Sequence, residues 1–327
     1  MRVGVIGLGI GKRHVQSYLA LSDVDLVAVA DLDPERRAWA VERCGCRTYE
    51  DGEALLEAEK LDAVSLCTPP ASHLRLTCAA AQRGVHVRCA KPMAPTLEDC
   101  DAMVEVCRRH EVLLMIAQKK RFHPLVQRVK ELTSGPLGPI RWAVVKYALG
   151  RVGMDWFWDE ADGGGPIQEN SIHAVDTLRY LMGEVQTVMA TGGNLFNPDR
   201  APQVDVAAVS LQFETGAVAA LGLGQATEWA CADEHFFFAC EGGEARFSGP
   251  FDNAVRWWMA LRSKPGEPET EEIAPDDCFD REIGHFVECV RNGTEPLVTG
   301  ESARNSVAVT LAIKESIRTG QAVRPAT

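Results

Sequence analysis

A short apolar strand that runs straight into a glycine turn and a helix leaves a chain few folds to choose from. Here Arg2-Val3-Gly4-Val5-Ile6 leads into Gly7-Leu8-Gly9-Ile10-Gly11, and Lys12-Arg13-His14 continues into a helix. Glycines at such a turn let the backbone approach a pyrophosphate, which rests on the helix N-terminus. The spacing GxGxG is one residue shorter than GxGxxG. The next apolar run, Val27-Ala28-Val29-Ala30, ends in Asp31, twenty residues beyond Gly11. A carboxylate there accepts the adenine-ribose hydroxyls and repels a 2′-phosphate. Strand, turn, helix, strand and acid in that order predict a dinucleotide site, with NAD preferred over NADP. Asp31 also stands where it can cap the turn Asp31-Leu32-Asp33-Pro34, and the two roles are compatible.

The same alternation persists to about residue 120. Apolar runs at Val3–Ile6, Leu26–Ala30, Ala63–Cys67, Val85–Val87 and Val112–Ile116 are separated by helical stretches such as Ser72–Arg83 and Thr96–Arg109. Near-continuous apolar strands between helices mean a parallel sheet covered on both faces. Beyond residue 121 the texture changes. His123–Leu132 reads as a helix closed by the Gly/Pro-rich stretch 134–139. Longer strands follow at Ile140–Leu149, Val185–Thr191, Val204–Phe213, Ala217–Gln225 and His235–Cys240, with a hairpin link at Glu214-Thr215-Gly216. The expected architecture is α/β: a Rossmann doubly wound parallel sheet over residues 1–121, then a domain over 122–327 with a mostly antiparallel sheet. Ser263–Asp277, with three prolines and many acids, reads as an exposed loop, and Ser302–Arg318 as a last helix ending at Gly320.

Composition narrows the partners. Apolar residues make up 46% and charged residues 24%, as in soluble globular proteins, and a formal net charge of −12 argues against nucleic acid or anionic membrane. The N-terminus shows no secretory pattern, and no run of 18 apolar residues exists. Eleven cysteines without a CxxC pair read as free thiols of a cytoplasmic protein with no metal site. The closest two, Cys44 and Cys46, have a one-residue gap that does not suit a zinc knuckle.

With these residues in view the chain resembles the Gfo/Idh/MocA family of sugar and polyol oxidoreductases along nearly its whole length. The likeness rests on Thr68-Pro69-Pro70-Ala71-Ser72-His73, Lys91-Pro92, Lys120-Arg121-Phe122-His123-Pro124 and Gly163-Gly164-Gly165. It continues through Glu169-Asn170-Ser171-Ile172-His173 with Asp176, and Ser316-Ile317-Arg318-Thr319-Gly320. The resemblance implies a Rossmann domain and a C-terminal α/β domain whose open-faced sheet buries itself in a homodimer or homotetramer. It also implies that Lys91 contacts both nicotinamide ribose and substrate hydroxyl. In the family that lysine follows a glutamate, and here Ala90 takes the glutamate's place. The family pattern D-x-x-x-H appears here as Glu169 to His173, with an acid one methylene longer.

On one continuous helix Glu169, His173 and Asp176 would share a face, with Val175, Leu178 and Met182 turned to the core and Gly183 as C-cap. A solvated helix face carrying an acid–histidine pair is the plain alternative. Oxidising a secondary alcohol needs a hydride acceptor and a base for the hydroxyl proton. An ordinary imidazole, with pKa about 6.5, makes His173 the natural base. Lys91 would donate to the same oxygen and could share that task, while Glu169 places the substrate or orients His173. Asn170 and Trp156 join the expected substrate wall, although the cluster Trp156-Phe157-Trp158 reads equally as core. Gly7, Leu8, Gly9, Ile10, Gly11, Asp31, Thr68, Pro70 and His73 make the cofactor list with Lys91, and His73 could instead pack its helix.

The reading is an NAD-dependent oxidoreductase acting on a ring hydroxyl or ketone of a sugar, sugar derivative or cyclitol. Two alternatives stay open. One is a redox-neutral enzyme that cleaves glycosides with NAD recycled in place; the other is a non-catalytic dinucleotide sensor.

Overall fold

The computed structural model describes residues 1–249, 255–276 and 278–326. The first stretch of chain alternates without exception. It forms β1 (Arg2–Ile6), α1 (Gly11–Leu19), β2 (Asp25–Ala30), α2 (Pro34–Cys44), β3 (Arg47–Tyr49) and α3 (Gly52–Ala58). Then come β4 (Ala63–Leu66), α4 (His73–Ala81), β5 (His86–Cys89), α5 (Leu97–Arg109) and β6 (Leu114–Ile116). The six strands are parallel in the order β3-β2-β1-β4-β5-β6. Local chemistry sets the helix ends: Asp33, Asp51 and Thr96 cap α2, α3 and α5 by accepting main-chain N–H groups, and Pro34 starts α2. Edge strand β3 has no counterpart among the expected strands. It is three residues long and polar, so no apolar run announces it.

The rest of the chain builds α6 (Pro124–Thr133), β7 (Ile140–Gly150), α7 (Asp155–Trp158), α8 (Gly165–Glu169), α9 (Ile172–Met182) and β8 (Val185–Gly193). It continues with β9 (Val206–Phe213), β10 (Val218–Thr227), β11 (Asp233–Cys240), β12 (Gly243–Ser248), β13 (Val255–Leu261) and β14 (Glu269–Ile273). Their sheet has the order β14-β13-β12-β11-β7-β10-β9-β8, and only the β7–β10 pair is parallel. Side chains alternate along β7, β9, β10 and β11, with one face buried and the other open. On the buried face Phe236, Phe238 and Phe247 pack ring to ring against aliphatic neighbours. Each such buried side chain contributes roughly 1.5–3 kcal/mol. Strand β14 lies inside the stretch expected to be a loop. It is an exposed edge of mostly acidic residues, invisible to hydropathy, and Asp277 of that stretch lies outside the described residues.

Two helices close the chain, α10 (Phe279–Asn292) and α11 (Gly300–Thr319). The molecule divides into two compact units, residues 1–118 with 279–304 and residues 119–278 with 305–327. The sequence suggested one boundary at 121/122, so the return of 279–304 to the first unit is a difference. Its cause is α10, which buries Ile283, Phe286 and Val287 and packs on α1. Amphipathicity reveals that a helix has a core-facing side but not which core it joins. Among the described residues no helix is long and apolar enough to cross a membrane.

Candidate active site

In the first unit the strand order reverses between β1 and β4, where an open parallel sheet binds its ligand outside the carboxyl ends of its strands. The glycine turn leaves β1 at that point. Gly7 has φ +88°, and a Cβ on it would stand 2.6 Å from the Cys67 carbonyl oxygen at the end of β4, so only glycine fits. Gly11 likewise presses on Val5 and Cys67, whereas a Cβ at Gly9 would find nothing nearer than Arg36 Nη1 at 3.8 Å. Leu8 is buried and Ile10 half exposed. No side chain caps α1 and no acid occupies its first turn. The cradle therefore fits a pyrophosphate: Gly7 and Gly11 hold the turn against the protein and Gly9 faces open space.

Asp31 closes the turn from the side. Its Oδ2 accepts the Leu8 N–H at 2.5 Å, its Oδ1 accepts the Asp33 N–H at 2.9 Å, and Arg36 Nη1 stands 3.5 Å away. The cap and the ribose site expected of Asp31 are thus compatible, because each carboxylate oxygen keeps a lone pair.

Past β4, Thr68 Oγ1 and Ser72 Oγ share a hydrogen bond of 2.6 Å, and the buried Pro70 opens a single helical turn. His73 is fully buried. Its Nε2 faces the Thr68 carbonyl at 2.8 Å and its Nδ1 faces the Met93 carbonyl at 3.1 Å. Burial lowers its pKa, against the pull of those carbonyls and with the help of the Lys91 charge. With both nitrogens on main chain, His73 ties the end of β4 to the segment following β5. Lys91 lies in that segment, two residues past the end of β5, and is partly buried; its bond to Pro92 is cis.

Beneath the turn lies a cluster that the sequence did not announce. Arg88 on β5 and Glu282 on α10 form an ion pair with both side chains wholly buried. Burial works against the Arg88 charge, and Glu282 more than offsets it, so the guanidinium is held above its ordinary value. Arg88 Nη1 donates to His14 of α1 at 2.9 Å, and the same ring nitrogen lies 3.1 Å from Cys67 Sγ. An arginine can only donate, so that nitrogen carries no proton. Burial, then Arg88 and Arg13, push the His14 pKa well down, while burial pushes the Cys67 thiol up to about 12. Ser17 donates to Asp280 at 2.5 Å and Tyr18 shares a bond with Ser65 at 2.8 Å, so α1 is fixed along its length. The only sequence signal for this cluster was an arginine inside an apolar strand.

In the second unit Gly164 and Gly165, both with φ near +75°, turn the chain into α8. Glu169 ends α8, and α9 begins at Ile172. The single helix expected to carry Glu169, His173 and Asp176 is therefore broken at Asn170-Ser171, where both N–H groups turn back to the Pro166 carbonyl. Helical pairing resumes when the Ala174 and Val175 N–H groups both donate to the Ser171 carbonyl. Glu169 and His173 lie on either side of the break, each 8% exposed, and the His173 N–H reaches the Asn170 carbonyl at 3.2 Å. Ten of the eleven residues of α9 are buried, so its polar side is not a solvated face. Gly183 caps it with φ +98°.

Asp176 belongs to the scaffold: Arg121 holds both its oxygens at 2.8 and 2.6 Å, and Ser306 Oγ donates at 2.8 Å. Lys120 pairs with Glu234 and lies over the Tyr147 ring, and His123 caps α6. A second network reaches the Glu169–His173 turn from β10. Asn170 Nδ2 donates to Gln225 Oε1 at 2.7 Å, and Asn197 Nδ2 donates to the Gln225 carbonyl at 2.9 Å. Asp205 in turn accepts the N–H groups of Leu195, Phe196 and Asn197. Gln225 carried no sequence signal, because it continues the alternation of β10 as a buried position. Of the aromatic trio, Phe157 and Trp158 pack with Val152 in a small core; Trp156 is half-buried against Phe157.

A glycine-cradled switch point, an acid at the end of β2 and a lysine past β5 define a dinucleotide-dependent oxidoreductase of two-unit architecture. Residues 1–118 match the oxidoreductase family with NAD-binding Rossmann fold, GFO/IDH/MocA, and residues 126–246 match the C-terminal domain of that family. The chain belongs to the GFO/IDH/MocA family and uses NAD. It is 30% identical to the D-apiose dehydrogenase of Paraburkholderia graminis over 98% of this chain and 88% of that protein. It is 28% identical to the myo-inositol 2-dehydrogenase of Thermotoga maritima over 99% and 98%. The WlbA dehydrogenase of Bordetella pertussis, solved with NADH and UDP-GlcNAcA, superposes with a TM-score of 0.85 at 25% identity, covering 100% and 99% of the two chains.

Proposed function

We propose that this protein oxidises a ring hydroxyl of a sugar, sugar derivative or cyclitol to the ketone, or runs the same step in reverse. One observation carries the reading. The glycine turn, the Thr68 turn and the Lys91 segment follow three adjacent strands, β1, β4 and β5, at their carboxyl ends, and His73 ties the last two together. When bound, NAD would supply the hydride acceptor for the carbinol carbon. Gly7, Leu8, Gly9, Ile10 and Gly11 would hold its pyrophosphate and Asp31 its adenine ribose; Thr68, Pro70 and Lys91 would line the nicotinamide side.

The protein's own groups move the proton. His173 is the base for the proton of the reacting hydroxyl, and Lys91 is a hydrogen-bond donor that steadies developing alkoxide charge. Glu169 and Asn170 take neighbouring hydroxyls, and the half-buried Trp156 offers an apolar wall. The relatives that act on inositol and apiose support a polyhydroxylated substrate.

We further infer a cytoplasmic homodimer or homotetramer joined through the open face of the second sheet. There Trp142 and Val144 of β7, Val218 of β10 and Met189 of β8 are 38–47% exposed, large apolar side chains on one sheet. Light scattering of wild type and Trp142→Glu tests this: a single monomeric mass for wild type would refute it.

The activity test is absorbance at 340 nm with NAD and a panel of free sugars, cyclitols and glycosides. Steady NADH formation that disappears in Lys91→Ala is the expected result. Aglycone release from a glycoside without net NADH would replace the proposal by redox-neutral cleavage.

A further inference from the structure

Cys44 ends α2 and Cys46 stands just before β3. Between them Gly45 adopts the left-handed conformation, φ +63°, which turns the chain back on itself. Both thiols consequently fall on one side, and Cys44 Sγ lies 2.9 Å from Cys46 Sγ and 3.0 Å from the Ala40 carbonyl. Both residues are partly exposed, whereas most of the other cysteines are buried. We propose that Cys44 and Cys46 form a thiol–disulfide exchange site that low-molecular-weight disulfides of the glutathione type close into an intramolecular Cys44–Cys46 bridge.

The reaction balances in two exchanges. Cys44 loses its proton to water and attacks one sulfur of the small disulfide; an S–S bond forms and a small thiolate leaves. Cys46 then loses its proton to water and attacks Cys44 Sγ, expelling the second small thiolate. The protein dithiol gives up two electrons and the small disulfide takes them, becoming two thiols. Burial, and then the hydrogen bond and charge of Cys44, push the Cys46 thiol up to about 12. Once Cys44 is in a mixed disulfide, its charge no longer opposes ionisation of Cys46. Closing a ring over one intervening residue constrains the bridge, which places it among readily reduced, reversible disulfides rather than structural ones.

The site borders the cofactor frame at both ends. The first turn of α2 carries Arg36 beside Asp31, and the Asp31 N–H bonds to the Tyr49 carbonyl of β3 at 3.1 Å. Trypsin makes the test clean, because cleavage after Arg43 and after Arg47 releases the tetrapeptide Cys44-Gly45-Cys46-Arg47. Reduced full-length protein is incubated with oxidised glutathione, quenched with acid, alkylated and digested. The expected tetrapeptide is unalkylated and about 2 Da lighter than the dithiol, with reversal by dithiothreitol. In Cys46→Ser, which lacks the resolving thiol, glutathione should accumulate on Cys44. Recovery of a doubly alkylated tetrapeptide from wild type, or of as much glutathione adduct as in Cys46→Ser, would overturn the proposal.

Discussion

Replacing Asp31 by alanine is the sharpest test of how the cofactor is chosen. The carboxylate is nearly buried and already accepts two main-chain N–H groups, at Leu8 and Asp33, leaving one lone pair on each oxygen. A hydrogen bond from a ribose hydroxyl to that anion contributes about 1.5–3 kcal/mol. Its loss should raise the Kd for NAD roughly 10- to 150-fold. For NADP the sign reverses. The mutation removes the charge that repels a 2′-phosphate, while Arg36 remains 3.5 Å from the vacated position as a cation for it. NADP should bind Asp31→Ala more tightly than wild type. Asp31→Asn, which keeps an acceptor but not the charge, should fall between the two for NAD. Titration of each protein with both dinucleotides, alongside thermal melts, separates binding from folding. Equal NAD affinity in wild type and a well-folded Asp31→Ala protein would refute the reasoning, as would a wild type that binds NADP as tightly as NAD.

Other perturbations have equally definite outcomes. Glu282→Ala strands the buried Arg88 charge and should cost about 3–5 kcal/mol, read as a lower urea midpoint; the double change Arg88→Met with Glu282→Leu should recover most of it. Gly7→Ala should lower thermal stability because its Cβ meets Cys67, whereas Gly9→Ala should leave the melt unchanged and weaken NAD binding; similar melts for both would contradict the geometry. The buried, neutral His14 has a folded pKa well below its unfolded value of about 6.5. Its contribution is therefore complete above pH 6.5 and declines as pH falls from there towards the folded value, by up to about 1.4 kcal/mol per pH unit. Urea midpoints at pH 7.5 and 5 should converge more in His14→Asn than in wild type. Gln225→Leu removes the bond to Asn170 and should lower kcat with a smaller effect on the Kd for NAD; an unchanged kcat would leave Gln225 a packing residue.

Much of this molecule could be read from residue order. The strand ahead of the glycine turn, the helix after it and Asp31 at the end of β2 lie where pattern placed them, because a parallel strand covered on both faces must be apolar throughout. Gly183 ends α9 as its position suggested. Pattern failed where polarity and partnership decide. Strands β3 and β14 are short, polar edges held by main-chain pairing. The break between α8 and α9 is a shift in main-chain pairing at Asn170 and Ser171, which side-chain periodicity does not register. Spacing put Asp176 on one face with Glu169 and His173, and only the fold revealed Arg121 as its partner. Arg88 and Glu282 are 194 residues apart in sequence, and no local signal connects them.

That separation has a consequence during synthesis. The cofactor-binding unit is not finished when its first 118 residues leave the ribosome, because Glu282 and the rest of α10 come only after the whole second sheet. Until then Arg88 lacks its counter-ion and α1 lacks the helix that packs on it, so the nascent unit cannot close a dry interior around a bare guanidinium. The intervening segment must emerge first, and the two parts of the first unit are joined only afterwards. A ribosome-stalled chain ending before residue 279 should consequently be digested by protease across its first 118 residues, and one reaching past 304 should resist.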